Sequence, residues 1–490
     1  MSNSSSLPAG ARNQTEIFAI HGVEPEVLAF AMAKYSRSAL SMRQSLAEIG
    51  AQRASHFLNT FYFQYGHRSI ADLAHIAFAI ERLSLLAAIV LVDEPRWDGQ
   101  ERSTRYQNFL ESGWYLPDFG ADSDSTQLYS QTIQKLFVAY QRVSAAVFDL
   151  LRARIPRPEP LKPEAYERTL HARAFDVARY LLPLATNTSL GQIVSARTLE
   201  NQVSRLLSHP AAEIRLLGEK LREASTAPTL VKYTQPNTYL TQAQAALAQA
   251  ATELLANCPI AAAPLVDLVE RTESLEVELA ATLLYSASHH PYRQIRDLAA
   301  ALPAARVTEI IELGLKHRGP HDEALRAFQA GATLRFDLLM DIGAFRDLHR
   351  HRRCTQIIQG FTVQHGYDVP GAADLAAGTD LLAEAGVESD FRSAIAAAHS
   401  AAAQIAAGPA PEAAASAQYL YPLATRIRAL FKMDFAEAQY ITELRSAPAG
   451  HFSYRRVAWE MFLALQRQHP ALAKQIRVTD FTQPIDLFKR

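Results

Sequence analysis

The stretch RDLHRHRRC, residues 346–354, gathers Arg346, His349, Arg350, His351, Arg352 and Arg353 around a single acid, Asp347. Guanidinium groups at this density suit one kind of chemistry: bidentate, charge-assisted hydrogen bonds to phosphate or carboxylate, from a group that stays ionised at any working pH. The same residues also read as a solvated helix face. A nucleic-acid patch fits less well. The chain holds 49 Lys+Arg against 50 Asp+Glu, a net charge of −1, so no long-range field draws in nucleic acid or an anionic membrane. Aromatic residues do not interleave with the cluster, and neither nucleic acid nor membrane is expected as a partner. Any anion must be held locally. A second polar segment, DEPRWDGQERSTRY at 93–106, places Glu101, Ser103 and Arg105 within five positions. Seen alone, these make either a helix-start cap with surface charges or a hydroxyl and a guanidinium for a phosphate monoester.

The elements that must position these groups come from a chain of 490 residues, 49 % hydrophobic, long enough for two or three packed domains. Cys258 and Cys354 are the only cysteines and have no metal-type spacing. No metal and no disulfide framework is expected, and a reducing, cytoplasmic setting is. Cys354 lies beside the cluster without a resolving thiol, which predicts a passive role. The opening MSNSSSLPAGARNQTE lacks the basic start and apolar run of a signal peptide, and the run Leu85 to Val92 is too short to span a bilayer.

The chain repeats itself. YLLPLAT at 180–186 returns as YLYPLAT at 419–425, and AKYSRS at 33–38 has a weaker echo, LLYSAS, at 283–288. Each half carries an alternating stretch followed at once by a non-alternating one. Ile76, Phe78 and Ile80 alternate with Ala77, Ala79 and Glu81; Leu334, Phe336 and Leu338 alternate with Arg335 and Asp337. Both predict half-buried strands. LSLLAAIVLV and MDIGAFRDLHRHR then predict helices, the second with Arg346, Arg350 and Arg353 on one face. A long amphipathic helix is predicted at 125–153. The Ala-rich stretch from Thr241 to Val266 reads as a helical connector, and AAGPAPEAAASA at 406–417 as an insertion loop. The fold class expected is α+β, two helix-rich units with a small, mostly antiparallel sheet in each: residues 1–240, a connector at 241–270, and residues 271–490.

In this setting Arg350, His351 and Arg352 resemble the front of the signature of flavin-dependent thymidylate synthases, R-H-R-x-x-S-x-N-E-x-S-x-R followed by Tyr. The second half keeps that front, with Thr355 in place of the Ser, and then loses the pattern in QIIQGFT. The first half keeps only the back: Gln100 for Asn, then Glu101, Ser103, Arg105 and Tyr106 in register, with Asp93, Glu94 and Pro95 where R-H-R belongs. GHRSIAD at 66–72 is similar to the family's Gly-His-x-Ser/Thr-x-x-Glu segment, Asp72 replacing Glu, and Ser36 matches a preceding Ser. The stretch 178–215 resembles the second conserved block. There Arg179 falls on a substrate-phosphate Arg, Arg197 and Asn201 on flavin contacts, and Arg205, after a one-residue deletion, on the Arg that polarises the uracil ring. Ser195 replaces a usual Asn. In the second half Arg445 matches that last Arg, while Gln418, Asp434, Ala436 and Tyr440 depart from the pattern.

The resemblance implies two tandem thymidylate synthase-like domains. It implies transfer of a one-carbon unit from methylenetetrahydrofolate to dUMP or a related pyrimidine nucleotide, with FAD as cofactor and NADPH recharging it. Substrate contacts would come from Glu101, Ser103, Arg105, Arg179, Arg205 and Arg350, with Arg205 the catalytic candidate. Cofactor contacts would come from Ser36, Ser69, Asp72, Arg197, Asn201, Arg350, His351 and Arg352; His67 is either a flavin contact or a core histidine. A carboxylate about 4 Å from a phosphate costs on the order of 4 kcal/mol at an effective dielectric near 20. The Asp93-Glu94 replacement therefore speaks against a self-contained first-half site, and the second half lacks the equivalents of Arg105 and Arg179. Because the losses are complementary, composite sites are expected, drawn from both halves and formed within one chain or across a homodimer that imitates the family's tetramer. The alternative is a degenerate homologue that binds flavin or nucleotide without turnover.

Overall fold

The computed structural model describes residues 20–34, 42–48, 68–270, 274–318, 325–328, 334–370, 380–410, 412–473, 476–484 and 488. Ser36 and His67, two of the expected cofactor positions, lie outside these residues, as does the side chain of Ser69. The chain is helix-rich, 56 % helical, with two small antiparallel sheets. The first contains β1 (His75–Ser84), β2 (Asp98–Glu101) and β3 (Asn187–Ser195) in the order β1-β3-β2. The second contains β4 (Val266–Leu268), β5 (Leu334–Asp341), β6 (Thr355–Ile358) and β7 (Arg426–Met433) in the order β4-β5-β7-β6, antiparallel throughout.

Two compact units divide the chain. The smaller comprises residues 1–76, 195–197 and 225–233. In it α1 (Pro25–Lys34) and α2 (Met42–Glu48) close over Val27, Ala31 and Met42. The Glu26 carboxylate accepts the first N–H groups of the turn at Thr229 and Leu230, at 2.7 and 3.2 Å, as an anion does at the amino end of a helical turn. The larger unit holds the remaining residues of both halves.

Within the larger unit the repeat is visible as geometry. Each long strand runs directly into a short buried helix, β1 into α3 (Leu85–Val92) and β5 into α4 (Ile342–Leu348). Ser84 and Asp341 cap them, accepting from Ala87 N–H at 2.9 Å and Ala344 N–H at 2.8 Å. The remaining amides of each first turn find carbonyls in the same half's PLAT segment: Leu85 to Thr186 and Ile342 to Thr425, both at 2.9 Å. The two PLAT segments also pair with each other. Pro183 and Pro422 face across an antiparallel bridge, with Leu184 N–H donating to Tyr421 O and Leu423 N–H to Leu182 O, each at 3.0 Å. These segments, read from the sequence as packing and turn elements, form the seam between the halves on a local two-fold axis.

The strands differ in burial. β1 alternates between exposed and buried positions, as expected. β5 does not: all its residues but Leu339 are buried, because its charged face is covered and neutralised. Glu278 accepts from Arg335 (2.8 Å) and Lys432 (2.7 Å), and Asp337 accepts from Arg428 (2.9 Å) and Tyr285 (2.9 Å). β1 also has one more residue before its cap than the Ile76/Leu334 alignment requires. Arg82, at φ 59°, is a left-handed residue of the kind that absorbs such an insertion as a bulge.

Three expectations on local structure need correction. Of the basic stretch only Arg346, Asp347 and Leu348 are helical; α4 stops there, and turns follow at 349–350 and 352–353. The chain has to turn there, because Thr355 enters β6 opposite Lys432 of β7. Of the Ala-rich connector, helix takes Thr238–Leu255, whereas Val266–Leu268 is a strand of the second sheet. In the segment read as an insertion loop, Ala413–Ala417 is helical. The long amphipathic helix is present as α5 (Ser123–Arg154), capped by Asp122 and burying Tyr129, Ile133, Leu136, Tyr140, Val143 and Val147 on one stripe.

Candidate active site

The two signature segments meet in the larger unit, and their charged groups pair across the halves. Glu101 ends β2, whose pairing with β3 sets it opposite Leu190, and it forms an ion pair with Arg346 of α4. Arg352 reaches back to Asp98 at 3.3 Å and lies over the Trp97 ring, 5.1 Å from its centroid. After β2 the chain makes a tight turn in which Ser103 Oγ accepts Arg105 N–H at 3.2 Å. The turn sends Arg105 inward. Its guanidinium grips Asp176 at 2.6 and 3.1 Å and donates to the Tyr454 hydroxyl at 3.1 Å. Burial alone would raise the Asp176 carboxyl; Arg105, His451 and Arg173 outweigh it and hold the group well below the ordinary range.

Arg179, in the 3-10 turn Arg179–Leu181, holds Asp347 Oδ2 through both Nη atoms at 3.3 and 3.4 Å. Its approach depends on Gly343: a Cβ there would stand 3.3 Å from Arg179 Nη2 and 3.0 Å from Asp341 Oδ1. Burial favours protonation of Asp347, but Arg179, then Arg105, Arg350 and Arg445, bring its pKa below the ordinary value. Arginines from both halves therefore act on one carboxylate. Arg350 is exposed and, among the described residues, has no ion-pair or hydrogen-bond partner.

His351 links Arg350 to the last of these. Its Nε2 accepts from Arg445 Nε at 2.7 Å, which puts the ring proton on Nδ1, 3.5 Å from Glu437. Burial pushes the imidazole pKa down, so Arg445 has a neutral partner. The guanidinium also lies over the Tyr454 ring at 5.5 Å. Counting close pairs, Arg105 is matched by Asp176, Arg179 by Asp347 and Arg346 by Glu101, while Arg445 reaches an acid, Glu437, only through the neutral His351 and Arg350 has none beside it. These arginines outnumber the acids around them by one, an excess of positive charge suited to an anion.

The other combination of signature remnants is neutral. Arg205 donates to Glu94 Oε1 at 2.9 and 2.7 Å and to Val90 O at 2.8 Å, and Asp93 is paired with Arg326. Burial raises the Glu94 pKa against the pull of Arg205. Asp93, Glu94 and Arg326 line a cleft of about 210 Å³ with His349, Arg352, Arg353 and Cys354. Burial there pushes the Cys354 thiol up to about 12.

Of the residues expected at a site, Glu101, Ser103, Arg105, Arg179, Arg350, His351 and Arg352 lie on the elements that converge in the larger unit. Arg205 lies with Glu94, and Arg445, its second-half match, is the one that acts on Asp347. Arg197 and Asp72 pair at 3.1 Å in the smaller unit, and Asn201 is half-buried on the helix Ala196–Leu207. Asp347, Asp176 and Tyr454 were not singled out by sequence reasoning as site residues. Asp347 offered a signal, being the only acid inside a basic stretch; Asp176 and Tyr454, distant in sequence and without a motif, offered none. Among the described residues no group of three or more His, Cys, Asp or Glu could hold a metal ion, and no helix is long and apolar enough to cross a membrane.

Comparison with known proteins places this geometry in a family. A UPF0159 protein of Chlamydia muridarum is 30 % identical over 510 residues, covering 95 % of this chain and 92 % of its own length. A flavin-dependent thymidylate synthase of Clostridium tetani is 25 % identical over 217 residues, covering 44 % of this chain and 83 % of its own. Thymidylate Synthase X from Helicobacter pylori, solved with FAD and dUMP, covers 43 % of this chain and 94 % of its own at 17 % identity, with a TM-score of 0.29. The family profile described as thymidylate synthase complementing protein matches residues 20–229 and again 267–471. Matched twice and over most of its length, the chain belongs to the thymidylate synthase complementing protein family.

Proposed function

We propose that the protein methylates a pyrimidine nucleotide, dUMP or a close relative, in a flavin-dependent reaction at a composite site built from both halves. The observation that carries this reading is the charge asymmetry. Around Asp347, Arg350 has no acid partner among the described residues and Arg445 meets a neutral imidazole, whereas Glu94 and Asp93 neutralise Arg205 and Arg326 directly in the other combination. Arg179 and Arg350 would receive the nucleotide phosphate, with Ser103 as a hydroxyl donor. Arg445, rather than Arg205, would face the uracil and stabilise the negative charge that develops on the ring, as preorganised cations do in a water-poor site.

FAD, when bound, supplies the hydride; NADPH and methylenetetrahydrofolate are the proposed co-substrates. The residues present fit an anionic cofactor. Arg350 is open, and the buried Nε atoms of Arg179 and Arg346 have no hydrogen-bond partner among the described residues. Arg350, His351 and Arg352 would hold the flavin; Ser36, Ser69, Asp72, Arg197 and Asn201 enter the proposal only as flavin contacts that the resemblance implies. The division at 1–240, 241–270 and 271–490 and a homodimer imitating a tetramer belong to the same proposal.

A second reading, a homologue that binds ligands without turnover, draws on Asp176 and Asp347, which already engage Arg105 and Arg179. The deciding experiment is flavin content together with dUMP-dependent oxidation of the reduced flavin. Yellow protein that turns over, and loses turnover in Arg350→Ala and Arg445→Ala, supports methyl transfer. Flavin uptake without turnover, or colourless protein that still binds nucleotide, supports the second reading, and protein that binds neither FAD nor dUMP removes both.

A further inference from the structure

Asp347 occupies the centre of the cation set assigned above to a ligand's phosphate, and three features set it apart from an ordinary ion-pair partner. First, Arg179 is 3 % exposed and Asp347 21 %, so the carboxylate is the solvent-facing member of the pair and the guanidinium its floor. Second, Asp347 sits in the last turn of α4, where the carbonyl ends of the helix disfavour an anion; local helix chemistry gives no reason for an acid there. With Ser84 and Asp341 aligned as equivalent caps, the matching residue of the first half is Val90, which carries no charge. Third, Arg105, Arg350 and Arg445 add their fields to that of Arg179, and Arg350 has no other acid beside it among the described residues.

A carboxylate held by both Nη atoms of a buried arginine occupies the same donors that a phosphate would use. Two anions on one fork repel each other strongly, and the repulsion grows as water is excluded. We propose that Asp347 is an internal anion seated on the Arg179 fork, that a phosphate monoester binds by displacing it, and that Asp347 thereby sets the affinity of the site for anions. The inference rests on the reading of this cluster as the phosphate end of the nucleotide site. It adds that the Arg179 fork is already neutralised before a ligand arrives, so that a weakly charged or uncharged analogue gains little from entering, whereas a dianion can exchange for the carboxylate.

The test is calorimetric titration of the full chain with inorganic phosphate, dUMP and, as an uncharged control, deoxyuridine, using wild type, Asp347→Asn, Arg179→Gln and the double variant. The expected result is at least ten-fold tighter phosphate and dUMP binding in Asp347→Asn, with no change for deoxyuridine. Arg179→Gln and the double variant should bind phosphate weakly, because the gain acts through the fork. Unchanged or weaker phosphate binding in Asp347→Asn would make the carboxylate a structural partner only and overturn the proposal, as would a gain that survives in the double variant. Unfolding midpoints check that each variant is folded; if Asp347→Asn is not, Asp347→Ser is read by the same criteria. Because phosphate binding needs no flavin, failure of the proposed function, seen as absent flavin uptake, is distinguishable from failure of this inference.

Discussion

Arg445 donates to a neutral imidazole, His351, at 2.7 Å, while Arg205, its match in the first half, donates to the carboxylate of Glu94 at 2.7 Å. The exchange of partner leaves Arg445 against a neutral ring with Glu437 behind it, where Arg205 is held directly by a carboxylate, although the two backbones repeat. The prediction is a division of effects. Arg445→Ala should lower the rate of dUMP-dependent flavin oxidation on the order of 100-fold with little loss of stability. Arg205→Ala should leave Glu94 buried without its partner, costing about 1–3 kcal/mol of stability, and alter turnover far less. Steady-state kinetics alongside urea unfolding of both variants check this; equal kinetic effects would refute the assignment.

Gly343 is predicted to be a positioning residue for Arg179. The Cβ of Gly343→Ala would come within 3.3 Å of the Arg179 guanidinium and 3.0 Å of Asp341 Oδ1, tighter than ordinary contact, so the fork must shift. Phosphate affinity should fall several-fold, and Gly343→Ser should behave no better. Retained affinity in both variants would show that the fork tolerates the displacement.

Asp341 should make stability depend on pH. Burial, and then the nearby charge of Asp368, raise its pKa to about 7, opposed by Ser453, Arg179 and the Ala344 N–H it caps. The neighbouring Tyr180 hydroxyl donates to it, and Asp368 is itself paired with Arg426. The unfolded carboxyl titrates near 3.8. The favourable contribution is therefore fully present below pH 3.8 and is lost as pH rises through 7, where folding must accept a buried charge. Asp341→Asn, which can still cap α4, should weaken this fall, by at most about 3 kcal/mol between pH 5 and 8. Chemical denaturation across that range measures it, and a wild-type profile without such a decline would count against the shift.

The buried pairs behind β5 should be cooperative. Arg428 and Asp337 are 2.9 Å apart and almost fully buried, so Asp337→Ala alone, which strands a cation, should cost about 3–5 kcal/mol. Asp337→Leu combined with Arg428→Met should cost less than the sum of the single changes. A double-mutant cycle by urea unfolding reads the coupling directly.

Cys354, with its thiol pushed up to about 12 by burial, should resist alkylation in the folded protein at pH 8, where Cys258, which is partly exposed, is modified first. Mass-spectrometric mapping after brief iodoacetamide treatment checks the order. Rapid labelling of Cys354 would mean that the 350–356 turn opens readily.

Much of the organisation was legible in the residues themselves. A repeat of seven-residue segments is a property of the chain, as are alternation at Ile76–Ile80, the unbroken apolar run of α3 and the amphipathic stripe of α5, because each reflects local periodicity. Arg346 to Arg353 could not be placed by the same logic: helical spacing continues past Leu348 on paper, but pairing of Thr355 with Lys432 forces a turn first. The full burial of β5 was equally hidden, since Arg335 and Asp337 look solvent-facing until Glu278 and Arg428, distant in sequence, neutralise them.

By itself, then, the amino-acid order determined that the family pattern occurs twice and that each copy keeps a different part of its signature. Only the tertiary structure decided which remnants join. Antiparallel pairing of the two PLAT segments around Pro183 and Pro422 turns the copies to face each other, bringing Arg179 onto Asp347 and Arg346 onto Glu101 while leaving Arg205 with Glu94. The reason is physical: charge strength and periodicity are local and readable along a chain, whereas an ion pair depends on distance, and distances between residues 168 or 245 positions apart are set by packing.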